Sequence, residues 1–94
     1  YAEDNIRILA VCPGAMDTKM LRTMANREAE PEKAIEDWGK THPLGRIGTG
    51  QDIANMALFL ASEKASFMTG ESVLVDGGYM ALGAWAVIDP SKEE

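Results

Sequence analysis

The chain has 94 residues and a mass of 10.2 kDa, enough for one domain at most. Apolar residues make up 46% of it, too many for a disordered tail. Nine basic side chains stand against fifteen acidic ones, a net charge of −6, and there is no basic stripe to neutralise nucleic-acid phosphates.

The longest charge-free run, Gly77 to Ile88, is broken by Gly83 and is too short to span a bilayer. No basic–apolar–small segment opens the chain, so export is not expected. One cysteine, Cys12, excludes an internal disulfide. With His42 as the one histidine, an ordinary zinc cage is excluded too. The cysteine usage fits a reducing compartment and a cytoplasmic location. The chain opens Tyr1-Ala2-Glu3-Asp4, without an initiator Met. It reads as a piece of a longer protein, with a processed mature end as the alternative.

Ile6-Arg7-Ile8-Leu9-Ala10-Val11-Cys12 is a branched apolar run closed by Pro13-Gly14. It reads as a strand buried on both faces inside a parallel sheet. A short helix follows, capped by Asp17 or Thr18, with Met20, Leu21, Met24 and Ala25 as its apolar stripe. Pro31 opens a second short helix whose apolar side is Ala34, Ile35 and Trp38 and which Gly39 can end. Thr41 to Gly50 is a loop. Thr49 and Asp52 form something close to a capping box at the start of the clearest helix, which carries Ile53 through Ala61 and ends at Ser62-Glu63-Lys64. That helix is apolar over more than half its circumference, so it is covered on both sides or packed on a sheet. Thr69-Gly70 turns the chain into a second strand, Ser72 to Val75, which Asp76-Gly77-Gly78 stops. A tail then runs from Tyr79 to Ile88 and ends in Asp89-Pro90 and a charged terminus. Two buried-type strands joined through helices are parallel.

Two parallel strands make a poor sheet by themselves. One edge lacks a ladder partner, and both strands need helices on two faces. The piece is therefore expected not to fold alone as a tidy monomer. It would be one flank of a larger sheet or pair with another copy.

Three stretches carry a resemblance. The first is Ile6-Arg7-Ile8 leading to Cys12-Pro13-Gly14-Ala15-Met16-Asp17-Thr18. The second is His42-Pro43-Leu44-Gly45-Arg46-Ile47-Gly48-Thr49 with Asp52-Ile53-Ala54. The third joins Leu58-Phe59-Leu60-Ala61-Ser62, Thr69-Gly70 and Val75-Asp76-Gly77-Gly78. In this order and spacing, over residues 2 to 80, the chain resembles the C-terminal part of a classical short-chain dehydrogenase/reductase. The resemblance implies an α/β fold, the C-terminal flank of a Rossmann-type doubly wound parallel sheet. It would hold the last two strands, a flap at about 15–48, a last helix at about 50–61 and a last strand at about 72–75. Residues 1–94 would thus be a partial domain. Asn5 stands where the family often has Gly, and Asn tolerates a left-handed turn. Leu9 stands where a small polar residue is common, so a polar contact from that strand to its neighbour is not expected.

The resemblance implies NAD or NADP as cofactor in the intact parent, a small-molecule alcohol or carbonyl substrate, and a homo-oligomer. It implies no nucleic acid and no membrane partner. The family reacts through Tyr-x-x-x-Lys with Ser and Asn, and neither Tyr1 nor Tyr79 starts such a pair. Catalytic residues are therefore expected upstream, in a missing N-terminal half. Gly45-x-x-Gly48-x-Gly50 opens a helix, but its spacing is wrong for a dinucleotide turn. Arg46 as a phosphate ligand there is weighed against plain turn geometry.

The resemblance assigns Pro13, Gly14, Ala15, Met16 and Thr18 to the nicotinamide. The backbone near Met16 would meet the carboxamide, and the Thr18 hydroxyl would reach the carboxamide or a phosphate. The bland reading makes Pro-Gly a strand stop and Thr18 a helix cap. Met20, Leu21, Met24 and Trp38 are candidate walls of an apolar substrate pocket, or simply core packing. Cys12 and His42 read as a small buried cysteine and a loop histidine, not as nucleophile and base. Asp52 reads as a helix cap, and Asp76 as a turn residue at a subunit contact. Two functions remain: part of an NAD(P)-dependent oxidoreductase that is inactive alone, or a non-enzymatic self-associating assembly fragment.

Overall fold

The computed structural model describes residues 1–82. In chain order it holds β1 (Leu9–Pro13), α1 (Lys19–Ala25), α2 (Pro31–Lys40), α3 (Gly50–Ala61), β2 (Glu71–Val75) and α4 (Tyr79–Leu82). Short 3-10 turns lie at Ala2–Asp4 and Glu63–Ala65. The tail beyond Leu82, with Asp89 and Pro90, lies outside the described residues.

The two strands pair in parallel, as expected, with Leu9 opposite Glu71 and Pro13 opposite Val75. β1 starts three residues later than the apolar run. Ile6 donates its amide to the Tyr1 carbonyl, and Ile8 is held by the Thr69–Gly70 turn. The Ile8 amide donates to Thr69 Oγ1 and the Gly70 amide donates to the Ile8 carbonyl. The Arg7 guanidinium donates to the Ser62 and Met68 carbonyls. Asn5 adopts a left-handed conformation, φ 59°, as its side chain permits.

β1 is not buried on both faces, which corrects the expectation from its composition. Val11 and its partner Val73 are half-buried, whereas Ala10 and its partner Ser72 are exposed. A single helix accounts for this: α3 packs against both strands, covering one face. Leu74, on the other face, is 54% exposed. The edges are equally open. The Gly14 amide donates to the Val75 carbonyl, and the Gly70 amide to that of Ile8. Even-numbered residues of β1 therefore face β2, and the backbone groups of Leu9, Val11 and Pro13 face the opposite edge. No strand among the described residues covers that edge.

Local sequence sets each helix. Thr18 Oγ1 accepts from the Leu21 amide and caps α1. Pro31 opens α2, and exposed ion pairs Lys33–Asp37 and Glu36–Lys40 run along it. α2 runs through Gly39 to Lys40 instead of ending at the glycine. Gly39 is buried because the chain crosses it: a Cβ there would lie 3.0 Å from Arg46 Cα. The capping box of α3 is complete. Thr49 Oγ1 accepts from the Asp52 amide at 3.3 Å, and Asp52 Oδ2 accepts from the Thr49 amide at 2.8 Å. Arg46 grips the same carboxylate at 2.9 Å. The Arg46 guanidinium, then the Thr49 amide, hold the Asp52 carboxyl well below the usual carboxylate range.

The buried apolar side chains among the described residues are Ala25, Leu60 and Ala65. Ile53 and Met56 of α3 join Leu60 towards the sheet side. Leu58 is 73% exposed on the far side, with Phe59 partly uncovered beside it. No helix among the described residues is long and apolar enough to cross a membrane, and none of their acidic, His and Cys side chains cluster as a metal site.

Two outcomes follow from this surface and this cap. In dilute solution the 94-residue chain by itself should show broad, non-cooperative unfolding by calorimetry, because no element among the described residues covers one sheet face and one strand edge. A sharp two-state transition of the monomer would contradict this. In the folded protein, Asp52 should stay ionised as acid is added past about pH 3.9, the ordinary aspartate value. Its folded-state value is depressed, so its contribution is present above that pH and is lost only in stronger acid. Carbon NMR of the carboxyl checks this, and Arg46→Ala should move the titration up towards the ordinary value.

Candidate functional site

The loop from Pro13 to Thr18 leaves the C-terminal end of β1, where open parallel sheets bind ligands. It is held from two sides. The Gly14 amide closes the last rung on Val75. The Ala15 amide donates to Nε2 of His42 at 3.1 Å. Beyond it, the Gly48 amide donates to the Ala15 carbonyl and the Asp17 amide to the Gly48 carbonyl, both at 2.8 Å. Met16 is thereby bridged in parallel to Gly48.

This pattern has a chemical result. The bonds of a parallel bridge use the groups that flank Met16, so its own amide and carbonyl point away from Gly48. Neither finds a hydrogen-bond partner among the described residues. One donor and one acceptor stand side by side on an otherwise tied loop. Gly14 is required just before them. A Cβ there would lie 2.8 Å from His42 Nε2 and 3.0 Å from Asp76 Cα, so only glycine lets the loop, His42 and the turn after β2 meet.

Two hollows adjoin the loop. The smaller is lined by Gly14, Ala15 and Met16 together with Leu44, Asp52 and Val75. The larger, about 720 Å³, is lined by Cys12, Pro13, Gly14, Trp38, Tyr79 and Met80, among others. That volume admits a ring-sized ligand.

The structure brings Pro13, Gly14, Ala15 and Met16 together at these hollows, and Trp38 lies across the larger one. Thr18 lines neither hollow; its Oγ1 sits at the start of α1 as the cap. Met20, Leu21 and Met24 line neither hollow. Leu21 and Ala25 turn inward on α1, while Met20 and Met24 are exposed. The start of the flap is tied by Arg22. It donates to both Asp17 oxygens, at 2.8 and 3.0 Å, and to Glu32 of α2 at 3.2 Å. The Arg22 guanidinium holds the Asp17 carboxyl below its ordinary range. Arg46 is engaged by Asp52, which favours turn geometry over a phosphate cradle in the 45–50 loop. Asp76 serves the turn, as expected: its carboxylate accepts from the Gly78 and Met80 amides.

His42 is the residue that sequence reasoning undervalued. It is the buried polar side chain among the described residues, 5% exposed, and it lines both hollows. Cys12 shares the larger hollow with it, although the pattern of residues gave no reason to place them together. Both imidazole nitrogens are engaged elsewhere, so the ring is not a base for the thiol. Its partner Ala15 is 27 residues away along the chain, and no local signal joins the two.

Comparisons with known proteins agree with this geometry. The family model described as enoyl-(acyl carrier protein) reductase matches residues 1–80. Dehydrogenase/reductase SDR family member 6 of Danio rerio is 35% identical over 79 residues, covering 84% of this chain and 32% of that protein. The chain belongs to the short-chain dehydrogenase/reductase family. Among solved structures of such enzymes, ligand-free aldohexose dehydrogenase of Thermoplasma acidophilum superposes with a TM-score of 0.76 at 44% identity, over 80% of this chain and 31% of that one. ElxO with NADP bound superposes with a TM-score of 0.72 at 34% identity, over 85% and 31%. The chain spans about a third of the length of the relatives it matches. Its paired strands and helices fit the C-terminal part of a Rossmann-type sheet.

The crowding at Gly14 is directly testable. In the folded protein Gly14→Ala should cost about 1–3 kcal/mol, as overpacking does, and lower the thermal midpoint. Gly50→Ala, where an added Cβ meets nothing within 4 Å, should be neutral or stabilising.

Proposed function

We propose that this segment forms the nicotinamide side of an NAD(P)-dependent oxidoreductase that moves a hydride between the cofactor and an alcohol or carbonyl substrate. The observation that carries this reading is the free amide and carbonyl of Met16 beside the two hollows. A primary carboxamide offers the complementary pair. Its carbonyl accepts from the Met16 amide and its NH₂ donates to the Met16 carbonyl. The relative ElxO, captured with NADP, supports a nicotinamide dinucleotide as the ligand.

Pro13, Gly14 and Ala15 orient that pair, and Ala15 is fixed by His42. The Thr18 hydroxyl accepts from Leu21 and keeps its own proton to donate to the carboxamide or a phosphate. The cofactor, when bound, supplies the hydride chemistry. This chain's residues bind it, hold its ring in one orientation and wall the substrate. Trp38 supplies an aromatic wall to the larger hollow. Exposed Met20 and Met24, with Leu21, give α1 an apolar surface suited to closing over an apolar substrate. Proton donor, lysine and phosphate turn belong to the missing N-terminal half, so the 94-residue chain alone turns over no substrate. That half or further copies of the chain, in a homo-oligomer, cover the open sheet face and edge. The free thiol of Cys12 fits a reducing, cytoplasmic setting. The same exposed apolar face also favours a second reading, a self-associating assembly fragment without enzymatic function.

The test uses the whole oxidoreductase and two dinucleotides. Replacing the carboxamide by an acetyl group removes the NH₂ donors and should weaken binding about 5–10-fold, the worth of one hydrogen bond. Equal affinity for the two would overturn the carboxamide assignment. Reduced-nicotinamide absorbance should stay constant with the 94-residue chain alone. If no dinucleotide binds the whole protein, the assembly reading stands.

A further inference from the structure

We infer that His42 is a positioning residue for cofactor binding, a fixed neutral imidazole whose two nitrogens tie the Met16 loop to the C-terminal end of α2. The inference rests on the nicotinamide reading of that loop. It begins with the protons. Nε2 receives the Ala15 amide hydrogen at 3.1 Å, so Nε2 carries none. Nδ1 lies 3.0 Å from the Trp38 carbonyl, which is only an acceptor, so Nδ1 carries the proton. Thr41 completes the set. Its hydroxyl donates to the same Trp38 carbonyl at 2.6 Å, leaving its oxygen to face Nδ1 at 3.1 Å. Every donor and acceptor then has a partner, and one tautomer satisfies them all.

The surroundings hold the ring in place. It is 5% exposed and sits against the Tyr79 ring at 5.3 Å between centroids. Its edge meets Gly14, and its Cβ side meets Gly77. One side chain thus links the last turn of α2, the turn after β2 and the loop after β1. Ala15 is the residue before Met16. The peptide that presents the Met16 donor is tied through its Ala15 carbonyl to the Gly48 amide, and the His42 bond fixes the Gly14–Ala15 peptide before it, so Ala15 is held on both sides. Trp38, at the other end of the link, lines the larger hollow. The two bonds therefore serve different parts of the site, one the cofactor loop and one the aromatic wall.

Two substitutions separate the bonds. His42→Gln places an acceptor at the position of Nε2 and loses the Nδ1 donor. His42→Asn places a donor at the position of Nδ1 and loses the acceptor. In the whole oxidoreductase, His42→Asn should raise the dissociation constant of NAD(P)H about 5–10-fold, the worth of one buried hydrogen bond. His42→Gln should leave it within about twofold, while raising KM for substrate through Trp38. Equal effects of the two variants on cofactor affinity would overturn the proposal and leave His42 a packing residue. If the wild-type protein binds no dinucleotide, the functional reading fails instead. If either variant does not fold, nitrogen NMR of the wild type decides. A bare Nε2 coupled to the Ala15 amide, and shifted when NAD(P)H binds, supports the proposal. A protonated Nε2, or a signal indifferent to cofactor, overturns it.

Discussion

The rung from the Gly14 amide to the Val75 carbonyl is the constraint on which the site depends. It fixes the level at which β1 stops and its loop begins. Everything beyond follows from leaving the sheet there: Ala15 falls opposite His42, Met16 opposite Gly48, and Thr18 at the start of α1. The loop makes few contacts with a core because there is little core to touch. It is ordered by four backbone amides or carbonyls tied to three separated parts of the chain. Such a loop keeps its shape while one residue retains free polar groups. In a densely packed loop those groups would have been consumed by neighbours.

Much of this was legible in the residues. The helix starts were plain because capping is local: Thr18, Pro31, and Thr49 with Asp52 each act within a few residues. The ends of the strands were nearly as clear, since Pro13-Gly14 and Asp76-Gly77-Gly78 punctuate them. Composition could not show where β1 begins, because Ile6 to Ile8 are as apolar as the strand. The backbone of Ile8 is claimed by Thr69 and Gly70, more than sixty positions away, and the Ile6 amide by the Tyr1 carbonyl. Burial was overstated for a related reason. Apolar content records the neighbours that a strand is suited to, and among the described residues α3 is the helix that packs on both strands.

The site was legible in part. The family resemblance singled out Pro13 to Met16, and the bridge to Gly48 gives a physical reason why Met16 differs from its neighbours. The methionine stripe was a fair reading of helical spacing, yet spacing does not say which way a stripe faces. On α1 the inward positions are Leu21 and Ala25. Trp38 belongs to the hollow because α2 lies across the loop, a relation set by Arg22 with Asp17 and Glu32 and by the close crossing at Gly39. His42 was hidden by its neighbours: a histidine before a proline in a glycine-rich loop reads as surface, and its bond to Ala15 spans distant sequence.

The outward edge of β1 carries one more implication. Leu9 and Val11 offer donors and acceptors there, whereas Pro13 offers no donor. A third strand laid along this edge would zip up through Val11 and then run out of amide hydrogens. Its own exit from the sheet is thereby set at the same height as the departure of the Met16 loop. The missing proton of Pro13 thus limits a partner on the outward edge alone, while the pairing with β2 carries on to the Gly14 rung.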